Sequence, residues 1–230
     1  MKHPLLLLHG ALGATDQFVE LKERLQSDFE VYDLNFSGHG GNLVGERFSI
    51  DLFVCDTLSF LDRNQIPIAD IFGYSMGGYV ALKLASDFPG RVNKIITFGT
   101  KFNWTKESAE KEVKMLIPDV IEEKVPHFAA ALRQRHSPED WKLVITCTAQ
   151  MMLDLGNGQA MTKEDFQKIE NEVMICVGSE DNMVTFEESK VVADYLPKGI
   201  VKVVDGFKHP IEAVDKEKLV ILIKESLKEN

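Results

Sequence analysis

A nucleophile, an acid and a base that could work together occur in that order along these 230 residues. Ser75 stands in Gly73-Tyr74-Ser75-Met76-Gly77, directly after the apolar run Ile68–Tyr74 and before the helical pattern Met76–Phe88. A serine on so sharp a strand-to-helix turn has a strained backbone, and its neighbours two positions away must be small for strand and helix to pass. Gly73 and Gly77 meet that demand. The turn lifts the hydroxyl above the strand and aims a helix N-terminus at any anion formed there. A hydroxyl is a poor nucleophile until a base takes its proton. Of six histidines, His209 follows the apolar run Ile200–Val204 in a loop, where a base could reach across. His9 and His39 sit in tight glycine turns and suit local backbone groups, His127 and His136 fall in a helical stretch, and His3 is near the first residue. The base needs an acceptor to fix its tautomer. Asp181, just past the run Val173–Val177, is placed for it; Glu180 and Asp205 are competitors.

These residues need strands that end on one side. Leu5–Leu8, Glu30–Phe36, Ile68–Tyr74, Lys94–Phe98, Val173–Val177 and Ile200–Val204 read as six strands, most of them apolar on both faces. Burial on both sides marks a parallel sheet covered by helices. Asp16–Gln26, Ile50–Asn64, Met76–Phe88, Phe186–Tyr195 and Ile211–Leu227 have helical spacing. The fold class is therefore α/β, a mostly parallel sheet of about six strands flanked by helices, which binds ligands at the strands' carboxyl ends. Residues 101–165 break the alternation with helical signals only, and read as a helical cap inserted between core segments 1–100 and 166–230. Pro118, Pro126 and Pro138 each suit the first turn of a cap helix, and Gly156 suits the end of the one after Pro138.

Composition narrows the classes. With 44% hydrophobic residues the chain can bury a sizeable core, and its formal charge of −10 repels phosphate backbones, so nucleic acid is not an expected partner. The four leucines Leu5–Leu8 are too few for a signal peptide or a membrane span, so a cytoplasmic protein without a membrane partner is expected. Cys55, Cys147 and Cys176 form no CxxC pattern and read as buried free thiols. Gly38-His39-Gly40 has Leu43 where a dinucleotide loop needs its third glycine, and neither a P-loop nor His-Glu-x-x-His occurs. No cofactor and no metal are expected.

The segments Leu8-His9-Gly10-Ala11, Ser37-Gly38-His39-Gly40 and Gly73-Tyr74-Ser75-Met76-Gly77, followed by the Asp181 and His209 loops, resemble the α/β-hydrolase superfamily over essentially the whole chain. The resemblance implies a serine esterase-like enzyme, with Ser75, Asp181 and His209 as its triad and the backbone N–H groups of Ala11 and Met76 as its oxyanion hole. It also implies that the first two strands of larger members are missing. The substrate would lie between sheet and cap, with Phe36, Phe102, Leu116, Phe128, Trp141 and Met183 as candidate linings beside Met76. Arg133 and Arg135 could hold a substrate carboxylate. The expected reaction is hydrolysis of a small to medium carboxylic ester or thioester through an acyl-enzyme. One alternative is a C–C bond hydrolase or lyase acting on a keto acid, although the menaquinone-pathway lyases of this superfamily usually carry Arg where Tyr79 stands. The other is a small-molecule sensor whose triad is slow or silent. The oligomeric state is left open.

Overall fold

Leu5, Leu6, Leu7 and Leu8 are all fully buried, as a strand covered on both faces requires. The computed structural model describes residues 2–228. Its six strands are β1 (Pro4–Leu8), β2 (Glu30–Leu34), β3 (Ala69–Tyr74), β4 (Val92–Phe98), β5 (Glu172–Gly178) and β6 (Gly199–Val204). They pair in parallel in the order β2-β1-β3-β4-β5-β6. Central β3 is buried throughout, whereas β6 at the edge is largely open. That difference explains why the inner strands read as continuous apolar runs and the outer ones do not.

The alternation of side chains along each strand divides the core. Leu5 and Leu7 join Phe72 and Ile96 on one face, under α1 (Val19–Leu25) and α10 (Lys216–Leu227). Leu6 and Leu8 join Ile71 and Ile95 on the other, under α2 (Ile50–Arg63), α3 (Met76–Asp87) and α9 (Phe186–Tyr195). Each fully buried leucine contributes about 2 kcal/mol of transfer free energy, so both layers are needed to hold the central strands. The last helical stretch divides after Ile211–Ala213, because the Asp215 side chain accepts the Lys218 N–H and starts α10 afresh.

Between β4 and β5 the chain forms α4 (Lys106–Val113), α5 (Pro118–Lys124), α6 (Pro126–His136), α7 (Trp141–Asp154), a π-helical turn (Leu155–Gln159) and α8 (Lys163–Gln167). Pro118 and Pro126 begin α5 and α6, where a missing N–H costs nothing. Pro138 does not begin a helix: the Asp140 carboxylate accepts the Lys142 N–H at 2.9 Å and caps α7, which starts at Trp141. Gly156 does not stop that helix either. It lies inside the π turn, where a Cβ would come within 2.6 Å of the Ala109 Cβ, and the turn ends after Gly158 at φ +100°. Cys147 and Cys176 are buried free thiols, but Cys55 lies on the exposed face of α2.

Candidate active site

Ser75 occupies φ +51°, ψ −116°, a region L-residues rarely adopt. Several contacts hold it there. Its N–H donates to the Phe98 carbonyl at 2.8 Å, and its own carbonyl accepts from the Gly78 N–H at 3.0 Å and the Thr100 hydroxyl at 2.9 Å. A Cβ on Gly73 would lie 2.4 Å from the Gly78 Cα, and one on Gly77 would lie 2.1 Å from the Leu8 carbonyl oxygen. Ser75 is the N-cap residue of α3, yet its side chain accepts none of the helix N–H groups, as a capping serine would. The hydroxyl instead faces His209, with Oγ 3.5 Å from Nε2.

His209 Nδ1 lies 2.9 Å from Asp181 Oδ2, and Asp181 Oδ1 accepts the N–H groups of Met183 at 2.8 Å and Val184 at 3.0 Å. An ionised carboxylate only accepts, so Nδ1 carries the proton and Nε2 is left to accept from Ser75. Burial pushes the Asp181 carboxyl up, but the hydrogen bond from His209 and the two backbone donors outweigh it and hold the group below its ordinary range. The two competing acids point elsewhere. Glu180 is 56% exposed and faces Lys208 at 3.9 Å, and Asp205 takes the Ser179 hydroxyl at 3.4 Å.

Sequence reasoning overlooked Gly99. Asp181 and His209 follow β5 and β6 and must lean across the end of β4 to reach Ser75 after β3. Gly99 directly follows β4 at φ +62°, where a Cβ would lie 3.3 Å from the His209 ring and 3.4 Å from Asp181 Oδ2. The signal was a glycine directly after a strand, at the one end that must stay low.

Above Ser75 opens a cleft of about 530 Å³ of atom-free space, its mouth included. Ala11, Met76, Met183 and His209 border it, together with Ile50, Tyr79, Trp104, Met151, Met152, Leu155 and Val184. Four methionines make a soft wall that adapts to varied acyl shapes. Lys101 and Glu112 add one charged pair, Nζ to Oε1 3.2 Å, with Nζ 5.8 Å from the centre of the Trp104 ring.

Of the six side chains expected as linings, Met183 borders this cleft and the others lie elsewhere. Phe36 is fully buried against His9 and Phe53, and Phe102 packs on Tyr79 and Phe166. Trp141 is buried in the main core beneath Arg133 and Lys142, Leu116 packs on the same core, and Phe128 is exposed. Helical spacing identifies an inward face but not which inward residues border a gap. Arg133 pairs with Glu122 at 2.7 Å, and Arg135 is tied to Asp16 at 3.0 Å, so neither borders the cleft. Tyr79 accepts the Met161 N–H at 2.7 Å, joining α3 to the end of the insertion.

His9 and His39 do serve backbone groups. His9 Nε2 accepts the Phe36 N–H at 3.3 Å, so its Nδ1–H donates to the Gly10 carbonyl at 2.8 Å; His39 Nδ1 lies 3.1 Å from the Ser37 carbonyl. Among the described residues no cluster of three or more His, Cys, Asp or Glu could hold a metal ion. None of their helices is long and apolar enough to cross a membrane.

An all-parallel sheet with a strained serine turn after β3 defines an α/β-hydrolase, and the chain belongs to the serine aminopeptidase S33 family, which it matches over residues 1–216. It is a hydrolase by that membership. Among its relatives is 3-oxoadipate enol-lactonase 2 of Acinetobacter baylyi, 24% identical, with 93% of this chain and 89% of that protein covered. Among solved structures, a carboxylesterase study of Nitrososphaera gargenis supplies one at TM-score 0.80 and 19% identity, covering 97% of this chain and 89% of that one. The 2-hydroxy-6-oxo-6-phenylhexa-2,4-dienoate hydrolase of a Rhodococcus strain superposes at TM-score 0.78 and 17% identity, covering 99% and 91%.

Proposed function

We propose that the protein is a serine hydrolase of small to medium carboxylic esters, or thioesters, acting through an acyl-enzyme on Ser75. The observation that carries this reading is the chain of contacts from Ser75 Oγ through His209 to Asp181 at the floor of an apolar cleft. Ser75 attacks the acyl carbonyl while His209 Nε2 takes its proton, then returns it to the leaving alcohol or thiol. Asp181 holds the ring in the required tautomer and stabilises its charged form. The N–H groups of Ala11 and Met76 receive the oxyanion, each such donor lowering the barrier by about 3 kcal/mol. Water, activated by the same histidine, then cleaves the acyl-enzyme. Helices α4–α7 act as a cap that limits substrate size. Against the keto-acid alternative, the described residues that border the cleft include no arginine, and the lysine among them, Lys101, is paired with Glu112.

The test is hydrolysis of p-nitrophenyl esters from acetate to laurate, with Ser75→Ala alongside. Turnover that peaks at short or medium chains and vanishes in the variant is expected. A folded wild-type protein inactive on every ester would overturn the ester reading, leaving the keto-acid reaction or a sensor. Equal rates on all chain lengths would remove the size limit assigned to the cap.

A further inference from the structure

The turn that carries Ala11 is held from outside the sheet by the helical insertion. Residues Gly10 to Gly13 form a tight turn closed by the Gly13 N–H to the Gly10 carbonyl at 3.1 Å. Leu12 sits in it at φ +58°, a left-handed conformation that a leucine keeps only when its surroundings impose it. Two side chains from the end of α6 meet the Leu12 carbonyl, His136 Nε2 at 3.2 Å and Arg135 Nη1 at 3.3 Å. His136 is fully buried, and its Nδ1 accepts the Gly40 N–H at 3.2 Å. An imidazole that accepts at Nδ1 has its proton on Nε2, so it donates to Leu12. Arg135 is itself braced by Asp16 at 3.0 Å and Glu212 at 3.4 Å. The same corner of the insertion is docked through Glu139, which accepts the Val44 N–H at 2.9 Å. It also sits against Gly41, where a Cβ would lie 2.6 Å from the Ser137 carbonyl oxygen.

Geometry links this contact to the chemistry. The Gly10 carbonyl and the Ala11 N–H belong to one planar trans peptide unit and point in opposite directions. His9 and Gly13 grip the carbonyl side of that unit at 2.8 and 3.1 Å. On the far side of the turn, the side-chain hydrogen bonds among the described residues fall on the Leu12 carbonyl and come from residues of the insertion. We propose that His136, seconded by Arg135, is a positioning residue for the oxyanion hole: by holding Leu12 in its left-handed conformation it keeps the Ala11 N–H aimed at the reacting carbonyl. The insertion then governs transition-state stabilisation as well as access. This rests on the serine hydrolase reading above.

The test measures kcat and KM on p-nitrophenyl acetate for the full chain and three variants. Active sites are counted by fluorophosphonate titration, so that unfolded protein does not enter the rate. His136→Phe keeps the ring volume and removes both bonds, and is expected to lower kcat per titrated site about 10- to 100-fold, a fraction of what losing a whole oxyanion donor costs. KM is expected to change less than about threefold, since a misaimed donor acts on the transition state and not on ground-state binding. His136→Gln keeps an N–H within reach of Leu12 and is expected to restore most of kcat. Arg135→Met, which removes one of the two donors, is expected to lower kcat by a smaller factor and decides the matter should His136→Phe fail to fold. Unchanged kcat in the folded variants, or a rise in KM with kcat intact, would overturn the positioning role while leaving the hydrolase reading in place. A wild-type protein that neither turns over esters nor takes up the fluorophosphonate would overturn both.

Discussion

Lowering the pH from 7.5 towards 4.5 strikes three imidazoles at once. His9, His39 and His136 lie in a buried row, with ring centroids 5.1 and 5.7 Å apart. Burial is the largest influence on each: it drives His9 down to about 3, His136 to about 4, and His39 well below the ordinary 6.5. Backbone acceptors at Gly10, Ser37 and Leu12 pull the other way, as does Asp16 on His136, while Arg135 and the neighbouring rings add to the lowering. A histidine with a depressed folded value takes up its proton on unfolding. Its contribution is intact above about pH 6.5 and is lost as pH falls from there towards the folded value. At 1.36 kcal/mol per unit, His9 and His136 each cost the fold about 2.5 kcal/mol by pH 4.5. Near pH 5.5, uptake of nearly three protons corresponds to a slope of about 3 to 4 kcal/mol per pH unit. Against a usual total of about 5–15 kcal/mol, that is enough to unfold the protein in mild acid. Urea titrations followed by the fluorescence of Trp104 and Trp141, repeated from pH 5.0 to 7.5, give the slope directly. His136→Gln is expected to reduce it by about one proton's share. A slope below about 1.4 kcal/mol per unit between pH 5 and 6, less than one proton, would refute the argument.

Other outcomes follow from the site. Ser75→Gly removes side-chain strain worth about 1–3 kcal/mol but loosens the unfolded chain by up to about 1 kcal/mol. Calorimetry should show Tm raised by about 2–4 °C while turnover falls to background. Asp181→Asn is expected to cost about 10⁴ in kcat by releasing the histidine tautomer, and near-normal activity would return the acid role to Glu180. Gly99→Ala places a methyl 3.3 Å from the His209 ring at a left-handed φ. A displacement of that kind is expected to lower kcat by about 10- to 100-fold with KM little changed, as steady-state kinetics would show.

The strands were legible because burial on both faces leaves a mark in every residue, as in Leu5–Leu8 and Ala69–Tyr74. The serine turn was legible too, since its demands on Gly73 and Gly77 are local. What escaped depends on contacts between distant segments. Nothing near Lys101 announces that Glu112 will fold back onto it, and nothing near His136 names Leu12 and Gly40 as its partners. Phe36 and Trp141 are apolar and inward-facing, as expected, but they face other side chains and not the cleft. Pro138 carried a genuine helix-start signal, and the nearer Asp140 side chain took the cap instead.

The span of chain between the three candidate catalytic side chains has a kinetic consequence. Ser75 and His209 are 134 residues apart, with β4, β5 and β6 between them in the chain, and His209 lies 28 beyond Asp181, with β6 between them. Contacts so remote in sequence close late, after local helices and neighbouring strands have formed. A refolding chain that has completed β1 to β4 and all the flanking helices up to α7 still holds Ser75 without His209 beside it. Under the proposed function, return of turnover should therefore lag behind return of helical structure, which makes the rate of ester cleavage a clock for the last strand to dock.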